Sequence, residues 1–122
     1  VAPTEISIVS LDEKLIQNAL RLVEENMSNA EFSVQELSRE LGVSRGQLYK
    51  KILEITGRTP IEFIRSIRLK RAAALLGKSQ LTVAEVAYKV GFNNPKYFAR
   101  YFKSEYNILP SKYTTNQNSE VE

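Results

Sequence analysis

This 122-residue sequence contains neither histidine nor cysteine, so carboxylate, hydroxyl, amide, lysine and arginine groups must supply whatever chemistry it performs. Disulfides, thiolate or imidazole metal sites, cysteine or serine–histidine nucleophiles and imidazole pH switching are thereby excluded. Glu36 and Glu40 lie one helical turn apart, as two metal ligands would, but no third ligand or glycine-rich loop accompanies them, and they read as a solvated helix face. Neither a cofactor nor a metal nor an enzymatic activity is expected. The side chains that stand out are two clusters of hydrogen-bond donors: Ser44, Arg45, Gln47, Tyr49, Lys50 and Lys51, and then Asn93, Asn94, Lys96, Tyr97, Arg100 and Lys103. Arginine forks onto guanine, asparagine or glutamine onto adenine, and lysine reaches guanine or phosphate, so both sets match the donor code of the major groove.

Such clusters function only if something rigid presents them, and helix-start signals are frequent around them. Ser10 with Glu13, Ser33 with Glu36, Ser44 with Gln47, Thr59 with Glu62 and Thr82 with Glu85 each place a hydroxyl three residues before Glu or Gln, the spacing of a reciprocal capping box. Asn94 followed by Pro95 adds a sixth start. Gly42, Gly57, Gly77 and Gly91 fall where helices would end. These signals predict an all-α fold of about seven helices: 11–28, 34–41, 45–56, 60–76, 83–90, 95–106 and a short one near 111–114. The first helix buries a stripe of Leu15, Ile16, Ala19, Leu22, Val23 and Met27. The central helix turns Ile61, Ile64, Ile67, Ala72, Leu75 and Leu76 inward, with Arg65, Arg68, Lys70 and Arg71 outward.

An internal repeat organises these helices. Residues 33–43 align with 82–92 at an offset of 49, and Leu48, Lys50, Ile52, Gly57 and Pro60 match Phe98, Arg100, Phe102, Asn107 and Pro110 at an offset of 50. Each copy reads as a short helix, a tight turn and a longer second helix, the helix-turn-helix pattern twice over. The second helix of such a unit enters the major groove. Leu48, Ile52, Leu53 and Ile55 in one copy, and Phe98, Tyr101, Phe102 and Tyr106 in the other, are assigned to the core. Glu36 and Glu85 are assigned to capping. Gln47 and Asn94 stand as caps or as adenine readers, and Tyr49 and Tyr97 either pack on the next helix or face DNA. Lys50 and Arg100, basic at equivalent exposed sites, are assigned to base contact. A helix from Pro60 to Leu76 spans about 25 Å. It could hold two recognition helices about 34 Å apart, one turn of B-DNA, over a two-part site of about 15 to 20 base pairs.

Charge agrees with this reading. Residues 1–32 carry two basic against six acidic side chains, whereas 33–113 carry fifteen against six, so a segment of −4 precedes one of +9. An anionic partner is implied for the later part. The competing reading is a helical protein-interaction module whose basic surface docks an acidic partner. No apolar run is long enough to cross a membrane and no leader pattern is present, so a cytoplasmic protein without membrane contact is expected. The missing initial methionine points to a longer protein.

Ala87, Val90, Gly91, Phe92, Tyr97, Phe98, Arg100, Phe102, Lys103, Pro110 and Tyr113 resemble, at matching spacing, the signature of the AraC/XylS family of bacterial transcription regulators. The resemblance covers Leu11 to Tyr113 and implies two helix-turn-helix units joined by a long helix. It places the family's base-contacting positions on Gly46, Gln47, Tyr49 and Lys50, and on Pro95, Lys96, Tyr97 and Arg100. Gly46 has no side chain where many relatives carry a reading residue, Ile52 replaces a usual Phe, and Asn107 replaces a usual Gly. Residues 6–27 are similar to the connector and first helix of output domains in hybrid two-component sensors that regulate polysaccharide use. The expected organisation is a connector over 1–10, a DNA-binding domain over 11–113 and a polar tail over 114–122. Within the domain, helix-turn-helix units lie at about 33–57 and 82–107, with a linker helix at about 60–76. The partners implied are double-stranded DNA, RNA polymerase, an upstream receiver or sensor region of the same chain, and a second copy in the full-length protein.

Overall fold

A computed structural model of the chain describes residues 3–114, with side chains from residue 11 onward. Helices α1 (Pro3–Glu25), α2 (Val34–Leu41), α3 (Arg45–Thr56), α4 (Pro60–Lys78), α5 (Val83–Lys89) and α6 (Pro95–Tyr106) are followed by a helical segment, α7, at 110–114, and no strand occurs among the described residues. The polar tail beyond Thr114 and the first two residues of the expected connector lie outside the described residues.

Two compact units form. The first comprises the residues up to Asn26 with Phe32–Ile64, and the second comprises Met27–Glu31 with the residues from Arg65 onward. In the first, Ala19, Leu22 and Val23 of α1 are buried together with Leu37 of α2, Leu48 and Ile52 of α3, and Phe63 and Ile64 at the start of α4. In the second, Leu69, Ala72 and Leu76 meet Val86, Ala87 and Val90 and the rings of Phe98 and Phe102. Both sets follow helical spacing, which brings residues three and four apart onto one face.

The repeat is visible in the backbone. The amides of Gly42 and Val43 donate to the carbonyls of Arg39 and Ser38, and those of Gly91 and Phe92 donate to Tyr88 and Ala87, the same residues one repeat later. α3 and α6 each have 12 residues and end on a left-handed residue, Gly57 at φ 74° and Asn107 at φ 61°. Asparagine is among the few non-glycine residues that tolerate this conformation, so it can stand where the first copy has glycine.

Several expectations are corrected. α1 begins at Pro3 instead of Leu11: proline at a first helical position lacks only an N–H that would have no partner there, and the Ser10–Glu13 pattern falls inside the helix. α1 also stops at Glu25, where the Asn26 side-chain amide donates to the Leu22 carbonyl at 2.8 Å. Gly77 ends nothing; α4 continues to Lys78, and the Ser79 hydroxyl donates to the Leu75 carbonyl at 2.6 Å. Ser33 stands at the N-cap of α2 but makes no side-chain cap bond, and the Glu36 carboxylate pairs instead with Arg39 at 3.0 Å. Ile61 is 61% exposed, and Leu53, Ile55 and Tyr101 are also exposed, while Phe63 and Leu69 take core positions. The largest reversal is Arg68, expected outside and only 5% exposed.

Candidate nucleic-acid interface

In the first unit the turn after α2 leads into a complete capping box. The Ser44 hydroxyl accepts from the Gln47 amide, and the Gln47 side-chain oxygen accepts from the Ser44 amide, both at 3.1 Å. The box fixes where α3 begins. Leu48 and Ile52, fully buried four residues apart, fix how it is rotated. Arg45, Gly46, Gln47, Tyr49 and Lys50 are consequently exposed on one surface. Lys51 departs from this set: its ammonium lies 3.4 Å from the Asp12 carboxylate of α1 and 3.9 Å from Glu54. Tyr49 is 50% exposed and lines an apolar groove of about 440 Å³ with Val34, Arg45, Gly46, Thr59, Pro60 and Ile61, so part of the ring packs beside α4 and the rest is open.

In the second unit Thr82 and Glu85 form a capping box at the start of α5, with bonds of 2.9 and 3.1 Å, whereas Ser33, its counterpart in the first unit, makes no cap bond. Hydrogen bonding to the Glu85 carboxyl from the Thr82 backbone amide, and then from the Thr82 side chain, holds it below its ordinary pKa. α6 starts at Asn94, whose side-chain oxygen accepts from the Lys96 amide at 2.9 Å, with Pro95 at the first helical position. An aromatic floor holds α6 from beneath, with Phe98 5.3 Å from Phe92 and 5.7 Å from Phe102, and Phe102 5.5 Å from Tyr113, ring centre to ring centre. Asn93, Lys96, Tyr97, Arg100 and Lys103 remain exposed above it. The Arg100 guanidinium sits 5.0 Å from the centre of the half-exposed Tyr97 ring, an arrangement that narrows where the arginine can point.

Each unit thus presents most of its own half of the expected donors along one helix, with Ser44, Asn93 and Asn94 just before it and Lys51 drawn to Asp12. Gln47 and Asn94 both act as caps, and each keeps a side-chain NH2 whose donors that capping bond does not use. Arg65 stacks at 4.1 Å over the Tyr101 ring, which accounts for that tyrosine lying at the surface. Arg68 was missed because its charge was weighed above its place: position 68 is four residues after Ile64 and four before Ala72, on the apolar stripe itself. Among the described residues no group of three acidic side chains could hold a metal ion, and no helix is long and apolar enough to cross a membrane.

A family profile described as a helix-turn-helix domain matches residues 37–116. Histidine kinase P4 of Formosa agariphila is 48% identical over 93% of this chain, which spans 8% of that protein. An uncharacterised HTH-type transcriptional regulator of Pseudoalteromonas carrageenovora is 34% identical over 86% of the chain, which spans 61% of it. Among solved structures, the C-terminal domain of the two-component response regulator YesN of Fusobacterium nucleatum superposes with a TM-score of 0.74 at 31% identity, covering 84% of this chain and 96% of that one.

Proposed function

Because this chain belongs to the AraC/XylS family of helix-turn-helix transcription regulators, we propose that its two units read successive major-groove segments of one duplex, one through α3 and the other through α6. The observation that carries this reading is the duplication itself, with Lys50 and Arg100 exposed at equivalent positions of two 12-residue helices that bury repeat-matched residues and end on a left-handed residue. Lys50, Arg100, Tyr49 and Tyr97 contact bases, with the free amide donors of Gln47 and Asn94 beside them. Arg45, Lys96 and Lys103 hold phosphates, and Ser44 and Asn93 stand at the mouths of the two turns. Lys51 contributes to DNA only if it leaves Asp12, and is the weakest member of the set.

The chain serves as the DNA-binding output of a two-component regulator in the cytoplasm, acting with a sensor region elsewhere in the full-length protein, with RNA polymerase and with a second copy. The similarity to a histidine kinase and to a response regulator domain supports the two-component setting. Control of carbohydrate-utilisation genes rests on the resemblance of the N-terminal segment, with support from similarity to the Msm operon regulatory protein and the activator RhaS. Gel retardation on mixed genomic DNA at low salt tests the core of the reading. A shift is expected whose affinity falls with salt at a log–log slope of about −0.9 per neutralised phosphate. No shift, with capture of acidic proteins instead, would favour an interaction module.

A further inference from the structure

The two turns share a hydrogen-bond pattern but not their surroundings. A methyl group added at Gly42 would meet nothing within 4 Å, so only the backbone conformation, φ 71°, calls for glycine there. At Gly91, φ 91°, an added methyl would collide with the Arg68 guanidinium and with the Met27 carbonyl. The arginine guanidinium lies against the second turn. Its Nη1 donates to the carbonyls of Met27 and Val90, each at 2.8 Å, and Nη2 donates to the Asn29 carbonyl at 3.0 Å. One side chain therefore holds the end of α5 and the segment that follows α1, all within the second unit. Burial lowers the guanidinium pKa from its ordinary value, as expected where a cation is removed from water. A planar fork with donors on two nitrogens can satisfy three carbonyls at once. Lysine also has three donors, but on a single nitrogen, and cannot reproduce that spread.

We propose that Arg68 is a positioning residue for the second half of the DNA site: by gathering Met27, Asn29 and Val90 onto one guanidinium it fixes the α5–α6 turn and so the register in which Tyr97 and Arg100 meet bases. This rests on the two-part reading above. A methyl at Gly42 meets nothing within 4 Å, so the effect is expected in one half-site.

The test uses R68M and R68K. Amide hydrogen exchange without DNA reports the turn: in both variants the amides of Gly91 and Phe92 exchange faster by about tenfold or more, because buried carbonyls lose their donors, while those of Gly42 and Val43 keep their wild-type rates. Footprinting reports the consequence: protection and base preference are lost over the half read by α6 and retained over the half read by α3. Unchanged exchange at Gly91, equal acceleration in both turns, or wild-type behaviour of R68K would overturn the proposal, as would a complete footprint despite the loosened turn. Accelerated exchange in the second turn, with no protection of any DNA by the wild type, supports the clamp and overturns the two-part reading instead.

Discussion

Lys50 and Arg100 project from helices whose buried residues sit two positions away, at Leu48, Ile52, Phe98 and Phe102, so truncating them removes a contact without opening a core. Arg100→Ala is expected to cost about 1–3 kcal/mol of DNA binding and to relax preference at one base position, while stability stays within about 0.5 kcal/mol. An unchanged base preference would reassign Arg100. Ser44→Ala should act the other way: losing the hydroxyl of the capping box costs about 1 kcal/mol in a denaturant titration, because the Gln47 amide loses its partner. The capping roles of Ser44, Thr82 and Asn94 were legible because each is settled within four residues of sequence. Ser33 marks the start of α2 without a side-chain cap bond, and the Glu36 carboxylate that would have completed a box pairs with Arg39 three residues further on. Arg68 was hidden in the sequence. Its acceptors, on Met27, Asn29 and Val90, lie 41, 39 and 22 residues away, and no local pattern reports them.

Boundaries of α2, α3 and α6 agree with those read from sequence: all three end on a left-handed residue, and α3 and α6 also start at a bonded side-chain cap, so local signals determine them. α1 and α4 run longer than expected. Nothing between Pro3 and Leu11 forbids a helix, and at the end of α4 a serine hydroxyl does what a glycine was assigned to do. The contrast between the glycines is testable here. Gly57→Asn reproduces what Asn107 already does in the second copy, in open space, and should change stability by less than about 1 kcal/mol. Gly91→Asn meets Arg68 and Met27 and should cost about 1–3 kcal/mol, the usual range for overpacking. Thermal melts of the two variants side by side check the difference, and equal losses would contradict the close approach at Gly91.

The whole chain carries +3, but the distribution matters more than the sum, since the excess lies on the residues that follow the acidic first helix. With no histidine present, no side chain at its ordinary pKa changes charge between about pH 6 and 8, so DNA affinity should be flat across that range at fixed ionic strength. A titration showing more than a threefold change would contradict it. Glu85, held below its ordinary pKa, acts at lower pH: its folded pKa lies beneath the unfolded one, so its contribution is present above the unfolded value and is lost as acid protonates the folded carboxylate. The central claim is that one chain contains both halves of a DNA reader, and selection of bound sites from a random DNA pool tests it most directly. The account predicts two conserved blocks separated by about one helical turn, 10 to 10.5 base pairs centre to centre, with the second block degraded by Arg100→Ala and the first by Lys50→Ala. A single undivided block, or no enrichment above the starting pool, would contradict it.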